Sequence, residues 1–247
     1  MKTLRLLYGF GGYTVGLGSL VYMIGWLGGF LTPTSIDSAA GDGSTMAVTV
    51  NLGLFMAFCL PHSVMARPWF KKALTKVIDS SVERSTYVLL SGISLAALML
   101  FWQPMPSMVW NVTNAAGRAV LFSVYAMGWM ILVGSTFALN HFDLFGLRQV
   151  VLHMQKLPYT DLPFATPGPY RLVRHPIYVG WVTLVWATPT MTIGHLLFAA
   201  GTTAYILIAI QFEERDLVDS LGQQYTEYQQ STPMLVPGLP KKAAAEK

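Results

Sequence analysis

The sequence is poor in charged residues and nearly without cysteine. Asp, Glu, Lys and Arg together make up 11% of its 247 residues, whereas soluble domains carry about 25% charged residues. A globule of this size needs more charge than that to cover its surface, so the composition argues against a soluble protein. The single cysteine, Cys59, cannot form an intramolecular disulfide or a cysteine-rich metal site.

Motifs for metal, nucleotide and nucleic-acid binding are missing as well. The five histidines show no HExxH or other metal-ligand spacing, so we expect no metal. P-loop, GxGxxG and GxSxG patterns do not occur in the required context. The net charge of +4 does not indicate nucleic acid, because basic residues in an apolar chain report how loops are oriented in a membrane.

Long apolar runs replace the missing charge, since hydrophobic residues make up 53% of the chain. A transmembrane helix needs about 20 apolar residues. Uncharged runs cover residues 6–31, 46–66, 85–103, 119–140 and 176–212. Thr188, Pro189 and Thr190 interrupt the last run, which we interpret as a hairpin of two helices. The sequence therefore predicts an all-α polytopic membrane protein of about six transmembrane helices in one domain, 1–247.

Basic residues collect on alternate loops, and Lys and Arg favour the cytoplasmic side of a membrane. Those assigned to that side are Lys2, Arg5, Arg67, Lys71, Lys72, Lys76, Arg84, Arg148, Lys156, Arg171, Arg174, Arg215, Lys241, Lys242 and Lys247. The opposite loops hold Asp37 and Asp42, with Arg118 as the one exception. The pattern predicts that both termini lie in the cytoplasm, and it suits a bacterial inner membrane.

Arg174 and His175 follow a turn that contains two prolines and directly precede Pro176. Pro176 fits the first position of a helix, where its missing N–H costs nothing. The start of a helix offers free N–H groups and a positive dipole end, which suit an anionic part of a ligand. Anchoring of the arginines to lipid headgroups is the alternative that the residues leave open.

Three further ionisable residues lie beside or within apolar segments. Glu213 and Glu214 fall where an amphipathic tail helix leaves the bilayer, and carboxylates at that depth need a partner such as Arg174 or a cationic ligand. His62 follows Pro61 near the cytoplasmic end of the second apolar run, where a histidine is a functional candidate. A structural salt bridge and a hydrogen bond to a neighbouring helix are the respective alternatives.

Two segments, GPYRLVRHPIYVGW at 168–181 and EERDLVDSLGQQYTEY at 213–228, are similar to the membrane methyltransferase superfamily that includes isoprenylcysteine carboxyl and phospholipid methyltransferases. The resemblance implies a cytoplasmic pocket for S-adenosyl-L-methionine, built by residues 140–237 behind a four-helix part at 1–139. The cofactor-binding residues predicted from it are Gln149, Leu162, Phe164, Ala165, Tyr170, His175, Pro176, Ile177, Tyr178 and Glu213, with Glu214 beside them.

Two N-terminal segments, FCLPHSVMARPWFKK at 58–72 and ERSTYVLLSG at 83–92, resemble the branch of methanethiol S-methyltransferases and NnrU-type proteins. Carboxyl-methylating relatives carry an arginine where this chain has Ala209, which favours a substrate without a carboxylate. They also carry a histidine at the position of Leu162, and this difference weakens the assignment of Leu162 as a cofactor contact. The resemblance implies S-methylation of methanethiol to dimethyl sulfide; a lipid or isoprenoid acceptor, or an accessory protein of nitrogen-oxide metabolism, are the alternatives.

Methylation of a small volatile thiol requires a thiolate, because the neutral thiol is a poor nucleophile. We predict His62 as the base, aided by the positive field of Arg67, Arg84 and Arg174, with Tyr87 or Tyr178 as its replacement. The predicted catalytic residues are His62, Arg174 and Tyr178. The predicted substrate pocket contains His62, Trp69, Arg84, Tyr87 and Trp181, although tryptophans at a membrane interface also serve as belt residues.

Overall fold

The computed structural model describes residues 2–39 and 43–238, so Asp42, Lys241, Lys242 and Lys247 of the charge pattern lie outside the described residues. The helices of the described part are α1 (Lys2–Gly28), α2 (Thr45–Ala66), α3 (Pro68–Leu74), α4 (Ser80–Phe101), α5 (Ala115–Leu139), α6 (His141–Leu144), α7 (Leu147–Gln155), α8 (Pro176–Trp186), α9 (Ile193–Leu221) and α10 (Gln223–Ser231). A short 3₁₀ helix, Gly168–Arg171, precedes α8.

Five helices, α1, α2, α4, α5 and α9, are long and apolar enough to cross a membrane. The predicted all-α membrane class is therefore confirmed. The first half of the last apolar run differs from its prediction, because α8 has only 11 residues against the roughly 20 that a spanning helix needs. The chain leaves the helix at Ala187 and runs into a strand around Pro189.

Two short strands, β1 (Met108–Asn111) and β2 (Thr190–Thr192), pair antiparallel at one end of the helices, which we call the strand end. Asp37, in the loop after α1, accepts hydrogen bonds from the backbone N–H and the hydroxyl of Thr192 at 3.1 and 2.6 Å. The loops that follow α1, α4 and α8 therefore meet at this end.

Two sets of buried polar groups at the strand end are hydrogen-bonded. The ring of His195 lies 2.7 Å from the Asp37 carboxylate and 3.0 Å from the Val185 carbonyl. Asn51 is fully buried and bonds to both backbone groups of Gln103, at 2.7 and 2.8 Å. Because a buried polar group is costly without a partner, these pairs fix the loops to the helix ends.

Helices α1 and α4 approach each other through glycines. A Cβ on Gly12 would lie 2.8 Å from the backbone oxygen of Ser85, and one on Gly92 would lie 2.8 Å from the Cα of Gly16. A Cβ on Gly11, by contrast, would meet nothing within 4 Å. Small residues at an interface let membrane helices pack closely, and here only part of the glycines of α1 serve that purpose.

At the end opposite the strands, ion pairs connect the helices. Arg5 of α1 contacts Asp79, the residue before α4, at 2.7 Å, and also His153 of α7 at 2.7 Å. Arg67 at the end of α2 pairs with Asp216 of α9 at 2.7 Å. We call this the cavity end, because the candidate site lies between these elements.

Candidate active site

A cavity of about 750 Å³ lies at the cavity end. Its walls come from α3, the first turn of α4, the α6–α7 region, the irregular segment 157–165, the base of α9 and α10. Nine residues predicted from the sequence line it: Arg84, Gln149, Leu162, Phe164, Ala165, Tyr170, Arg174, His175 and Glu213. The structure thus brings most of the predicted cofactor residues together.

The other predicted residues do not line the cavity. They are Pro176, Ile177, Tyr178, Glu214, His62, Tyr87, Trp69 and Trp181. Trp69 is 62% exposed and lies two residues from Lys71, so the two side chains leave α3 on different faces. Trp181 packs against Trp129 of α5, with ring centroids 6.0 Å apart. Neither tryptophan lines this cavity, so their place in a substrate pocket stays a prediction.

Glu213 is the carboxylate of α9 that faces the cavity. The hydroxyl of Tyr178 donates to its Oε2 at 2.6 Å, and the Tyr178 ring stacks on His175 with centroids 5.5 Å apart. Tyr178 therefore acts behind the wall by orienting Glu213, although it does not line the cavity itself.

Glu214 points to protein partners instead. Its Oε1 lies 2.7 Å from Arg174 Nε and 2.9 Å from His175 Nε2, and Gln229 donates to its Oε2 at 2.9 Å. Arg174 also donates to the backbone oxygen of Thr232 at 2.6 Å. The salt bridge that the sequence left open is present for Glu214, and Arg174 holds the chain after α10 against the start of α8.

Two buried polar atoms on the cavity wall have no hydrogen-bond partner among the described residues. They are Oε1 of Gln149 and the hydroxyl of Tyr170, whose residues are 9% and 8% exposed. The amide nitrogen of Gln149 is held by the backbone oxygen of Asp143 at 3.1 Å. Burial raises the pKa of Tyr170, so its hydroxyl stays a neutral donor. Such orphaned groups mark a place where a ligand completes the hydrogen bonding.

Aromatic rings form one wall of the cavity. Phe164 lies edge-on to Tyr225 and Tyr228, with ring centroids 6.1 and 5.5 Å away. Burial raises the pKa of Tyr228 to about 12, and its hydroxyl donates to the backbone oxygen of Tyr170. The three- and four-residue spacing of the tail predicted an amphipathic helix, but it did not indicate that Tyr225 and Tyr228 face a ligand cavity.

His62 lies inside α2, one layer away from the cavity. Its Nδ1 is 3.0 Å from the Ser91 hydroxyl, its Nε2 is 3.0 Å from the Tyr87 hydroxyl, and its ring stacks on Phe58. The guanidinium of Arg84 lies over the Tyr87 ring, 5.1 Å from its centroid. Tyr87 and Arg84 thus connect His62 with the cavity wall, while the predicted hydrogen bond to a neighbouring helix is also present.

Lys71 is a site residue that the sequence did not single out. Its position in the chain marks it only as one of the loop cations, yet it lines the cavity beside Arg84. Burial lowers the pKa of Lys71, and the nearby Arg84 lowers it further. The segment FCLPHSVMARPWFKK contains both Lys71 and Lys72, and the sequence does not show which of the two faces the cavity.

The sequence profile of a family described as "NnrU protein" matches residues 51–232. The chain belongs to this family. Methanethiol S-methyltransferase from Crocosphaera subtropica is 47% identical over 98% of the chain and 95% of the relative. The enzyme of that name from Mycobacterium tuberculosis is 47% identical over 96% and 97%. Methanethiol S-methyltransferase 1 from Bradyrhizobium diazoefficiens is 43% identical over 96% and 83%.

No solved structure matches the chain. The relatives confirm the resemblance that FCLPHSVMARPWFKK and ERSTYVLLSG indicated, and the match to the NnrU family takes in both the N-terminal helices from residue 51 and the tail helix. Both halves of the cavity wall therefore belong to the part that the family shares.

Proposed function

We propose that the chain is a membrane enzyme that transfers a methyl group from S-adenosyl-L-methionine to methanethiol, releasing dimethyl sulfide and S-adenosylhomocysteine. Relatives that carry the name of this thiol methyltransferase are 43% to 47% identical over nearly the whole chain. The structural observation that carries the proposal is the cavity in which Gln149 Oε1 and the Tyr170 hydroxyl lie buried without a protein partner among the described residues.

The residues of the cavity fit the proposed cofactor. Its volume of about 750 Å³ lies within the roughly 300–1,000 Å³ of ligand pockets. Gln149 and Tyr170 supply an acceptor and a donor for the adenosine moiety, and the Phe164 wall suits its flat ring. Glu213 supplies the negative charge that a sulfonium requires. When bound, the cofactor supplies a methyl group already activated by a positively charged sulfur.

The two neighbouring carboxylates, Glu213 and Glu214, have different roles. Glu213, oriented by Tyr178, faces the ligand, while Glu214 and Arg174 fix α10 and the chain after it. In this proposal Arg174 is a positioning residue, because its hydrogen bonds go to Glu214, Gln229 and Thr232. These hydrogen bonds of Arg174 fix the position of the cavity wall, and a fixed wall can hold the reactants close together and correctly oriented.

The thiol loses its proton through Tyr87 to His62. We place the thiol beside Arg84 of the cavity wall, whose guanidinium lies 5.1 Å from the centroid of the Tyr87 ring, so the proposed proton path leaves the cavity past Arg84 to reach Tyr87. The S–H proton passes to the Tyr87 oxygen, and the Tyr87 proton passes to His62 Nε2, which lies 3.0 Å away. In this path His62 Nδ1–H donates to the Ser91 hydroxyl, 3.0 Å away, so that Nε2 is the accepting nitrogen.

The proposed topology has six membrane crossings with both termini in the cytoplasm of a bacterium, as the charge pattern predicts. Helix α8 is about 16 Å long at about 1.5 Å per residue, and residues 187–192 continue in extended form, at about 3.3 Å per residue, to the strand end. The contact of Arg5 with His153 and of Arg174 with Thr232 supports placing the N-terminal and tail segments on one side.

A small thiol fits this site better than a lipid acceptor. An apolar groove does exist between α1 and α5, lined by Ile24, Phe30, Phe122, Tyr125, Ala126 and Trp129. However, Phe30 follows α1 and Phe122 lies in the first turns of α5, so the groove lies towards the strand end. Glu213 lies at the opposite end, and an acyl chain in this groove would not present its head to it.

The test is to incubate the detergent-purified protein with S-adenosyl-L-methionine and methanethiol in a sealed vial and to measure dimethyl sulfide in the headspace. We expect product that depends on both reactants and falls at least about 100-fold in Glu213→Gln. Asp219→Asn, an exposed carboxylate of the same helix, is the matched control and keeps full activity.

Two results would contradict the proposal in different ways. Cofactor binding without dimethyl sulfide would reject methanethiol as the acceptor and favour a larger thiol or a lipid. Absence of cofactor binding would reject the methyltransferase assignment altogether and favour the accessory role in nitrogen-oxide metabolism.

A further inference from the structure

One end of the cavity is more polar than methanethiol requires. Helix α3 and the start of α4 contribute Lys71, Thr75, Ser80, Ser81, Glu83 and Arg84 to the wall. An acceptor made of one carbon and one sulfur offers these groups at most a single contact. This polar end therefore needs another ligand group to explain it.

Two cations at the polar end have no carboxylate partner among the described residues. Of the three Lys and Arg side chains on the wall, Arg174 pairs with Glu214, whereas neither Lys71 nor Arg84 forms a salt bridge within that part of the chain. Arg84 uses Nε to bond the Leu144 carbonyl at 2.8 Å, which leaves its terminal nitrogens for a ligand. Burial disfavours the charge of Lys71 while Glu83 and Asp216 favour it, and an anion of a ligand on the same wall would stabilise the charged form further.

We propose that Lys71 and Arg84 bind the α-carboxylate of S-adenosyl-L-methionine, an inference that rests on the proposed function. Paired cationic donors suit a carboxylate, because charge-assisted hydrogen bonds are the strong ones. Glu83 on the same wall complements the α-ammonium of the cofactor. The amino-acid end of the cofactor thus meets groups of both signs.

The positions of the charges agree with the shape of the cofactor. Its sulfonium is separated from its carboxylate by a short carbon chain, so the site needs a negative group and a positive group near each other. Glu213 and Arg84 both line the same cavity, so one ligand can meet a negative group and a positive group in one space. The N-terminal helices then bind the amino-acid end while the C-terminal part binds the adenosine.

The test compares two ligands that differ only by the carboxylate: S-adenosyl-L-methionine and its decarboxylated form. Their dissociation constants are measured by calorimetry on the full-length protein in detergent. We expect the wild type to bind the carboxylate-bearing ligand roughly 10- to 100-fold more tightly. Lys71→Gln loses most of this preference, and Lys71→Arg restores it in part. Lys72→Gln, an exposed neighbour on α3, keeps the preference.

Arg84→Gln is expected to show the same loss of preference. Arg84 also bonds the Leu144 carbonyl, so if Arg84→Gln does not fold, Lys71→Gln is the variant that decides the test. An unchanged ratio of the two constants in Lys71→Gln would overturn the inference, while cofactor binding by the wild type leaves the proposed function standing. A rise in the KM for methanethiol alone would also overturn it and assign the cations to the thiolate. Failure of the wild type to bind either ligand would reject the proposed function itself.

Discussion

At the scale of single residues, neighbouring side chains of the same type do different things. Glu213 and Glu214 are adjacent in sequence, yet the first faces the cavity and the second is held by Arg174 and His175. Consecutive residues of a helix point about 100° apart. One carboxylate is therefore left for a ligand while the other stabilises the wall.

The proton path through His62 predicts a specific kinetic defect. His62→Ala should lower turnover about 100-fold or more and leave the dissociation constant of the cofactor unchanged, because His62 lies outside the cavity wall. Added imidazole should restore part of the activity, since it can occupy the space of the deleted ring. Activity and cofactor binding are measured side by side. Full turnover in His62→Ala would remove His62 from the mechanism.

Lys71 predicts a dependence of cofactor affinity on pH. Burial places its pKa below the usual value of about 10.4, and only the charged form attracts a carboxylate. Affinity should therefore fall as the pH rises through this lowered pKa. The charged groups that act on Lys71 are Arg84 and Glu83 of α4, Arg67 and Asp216.

Binding curves at a series of alkaline pH values measure this effect, with Lys71→Gln as the reference. The cofactor affinity of Lys71→Gln should fall less with rising pH than that of the wild type, because the variant has no lysine that loses its charge. Parallel curves for the two proteins would mean that another group titrates.

At the scale of elements, α3 and α4 together form a polar part of the cavity wall. Helix α3 has seven residues, but it turns Lys71 towards the cavity, and α4 begins with the polar residues of the same wall. The side chain of Asp79 caps α4 by accepting from the N–H of Ser81 at 3.0 Å. Since α4 packs on α1 through glycines, the position of Arg84 depends on that contact.

Gly12→Ala should weaken the contact between α1 and α4. Its methyl group would lie 2.8 Å from the Ser85 carbonyl oxygen, so the helices must separate, at a cost of about 1–3 kcal/mol. Gly11→Ala, one residue earlier in the same helix, meets open space and should leave stability unchanged. Thermal unfolding in detergent compares the two variants. Equal midpoints would show that the close approach is not required for stability.

At the scale of the whole molecule, the two ends differ in character. Asp37, Thr192 and His195 connect the loops of the strand end, and the cavity lies at the other end. The apolar helices between them leave large hydrophobic side chains on the outside, such as Met130 at 66% and Leu100 at 65% exposed. A surface of this kind suits lipid rather than water.

Labelling of introduced cysteines tests the proposed orientation. The native Cys59 is only 3% exposed, so it gives little background. In spheroplasts, a membrane-impermeant maleimide should label Val109→Cys at the strand end and should reach Lys72→Cys only after the membrane is opened. The opposite pattern would place both termini outside the cytoplasm.

The sequence by itself determined the membrane class and the five long apolar helices, and it named nine of the residues that line the cavity. Uncharged runs of about 20 residues have few alternatives to a membrane helix, and Tyr170, His175 and Glu213 belong to the segments 168–181 and 213–228. The interruption at Thr188, Pro189 and Thr190 was visible in the sequence, but the 11 residues of α8 before it are fewer than a spanning helix needs.

Only the tertiary structure decided which side chains share the cavity. It added Lys71 to the wall beside the predicted Arg84, showed that Glu214 rather than Glu213 pairs with Arg174, and left Trp69 and Trp181 off the wall. The reason is physical: a motif fixes the type and spacing of residues, whereas the packing of distant helices fixes the direction in which each side chain points. Lys71 and Lys72 are adjacent in the chain, and only the fold, which turns Lys71 to the cavity and leaves Lys72 exposed, distinguishes them.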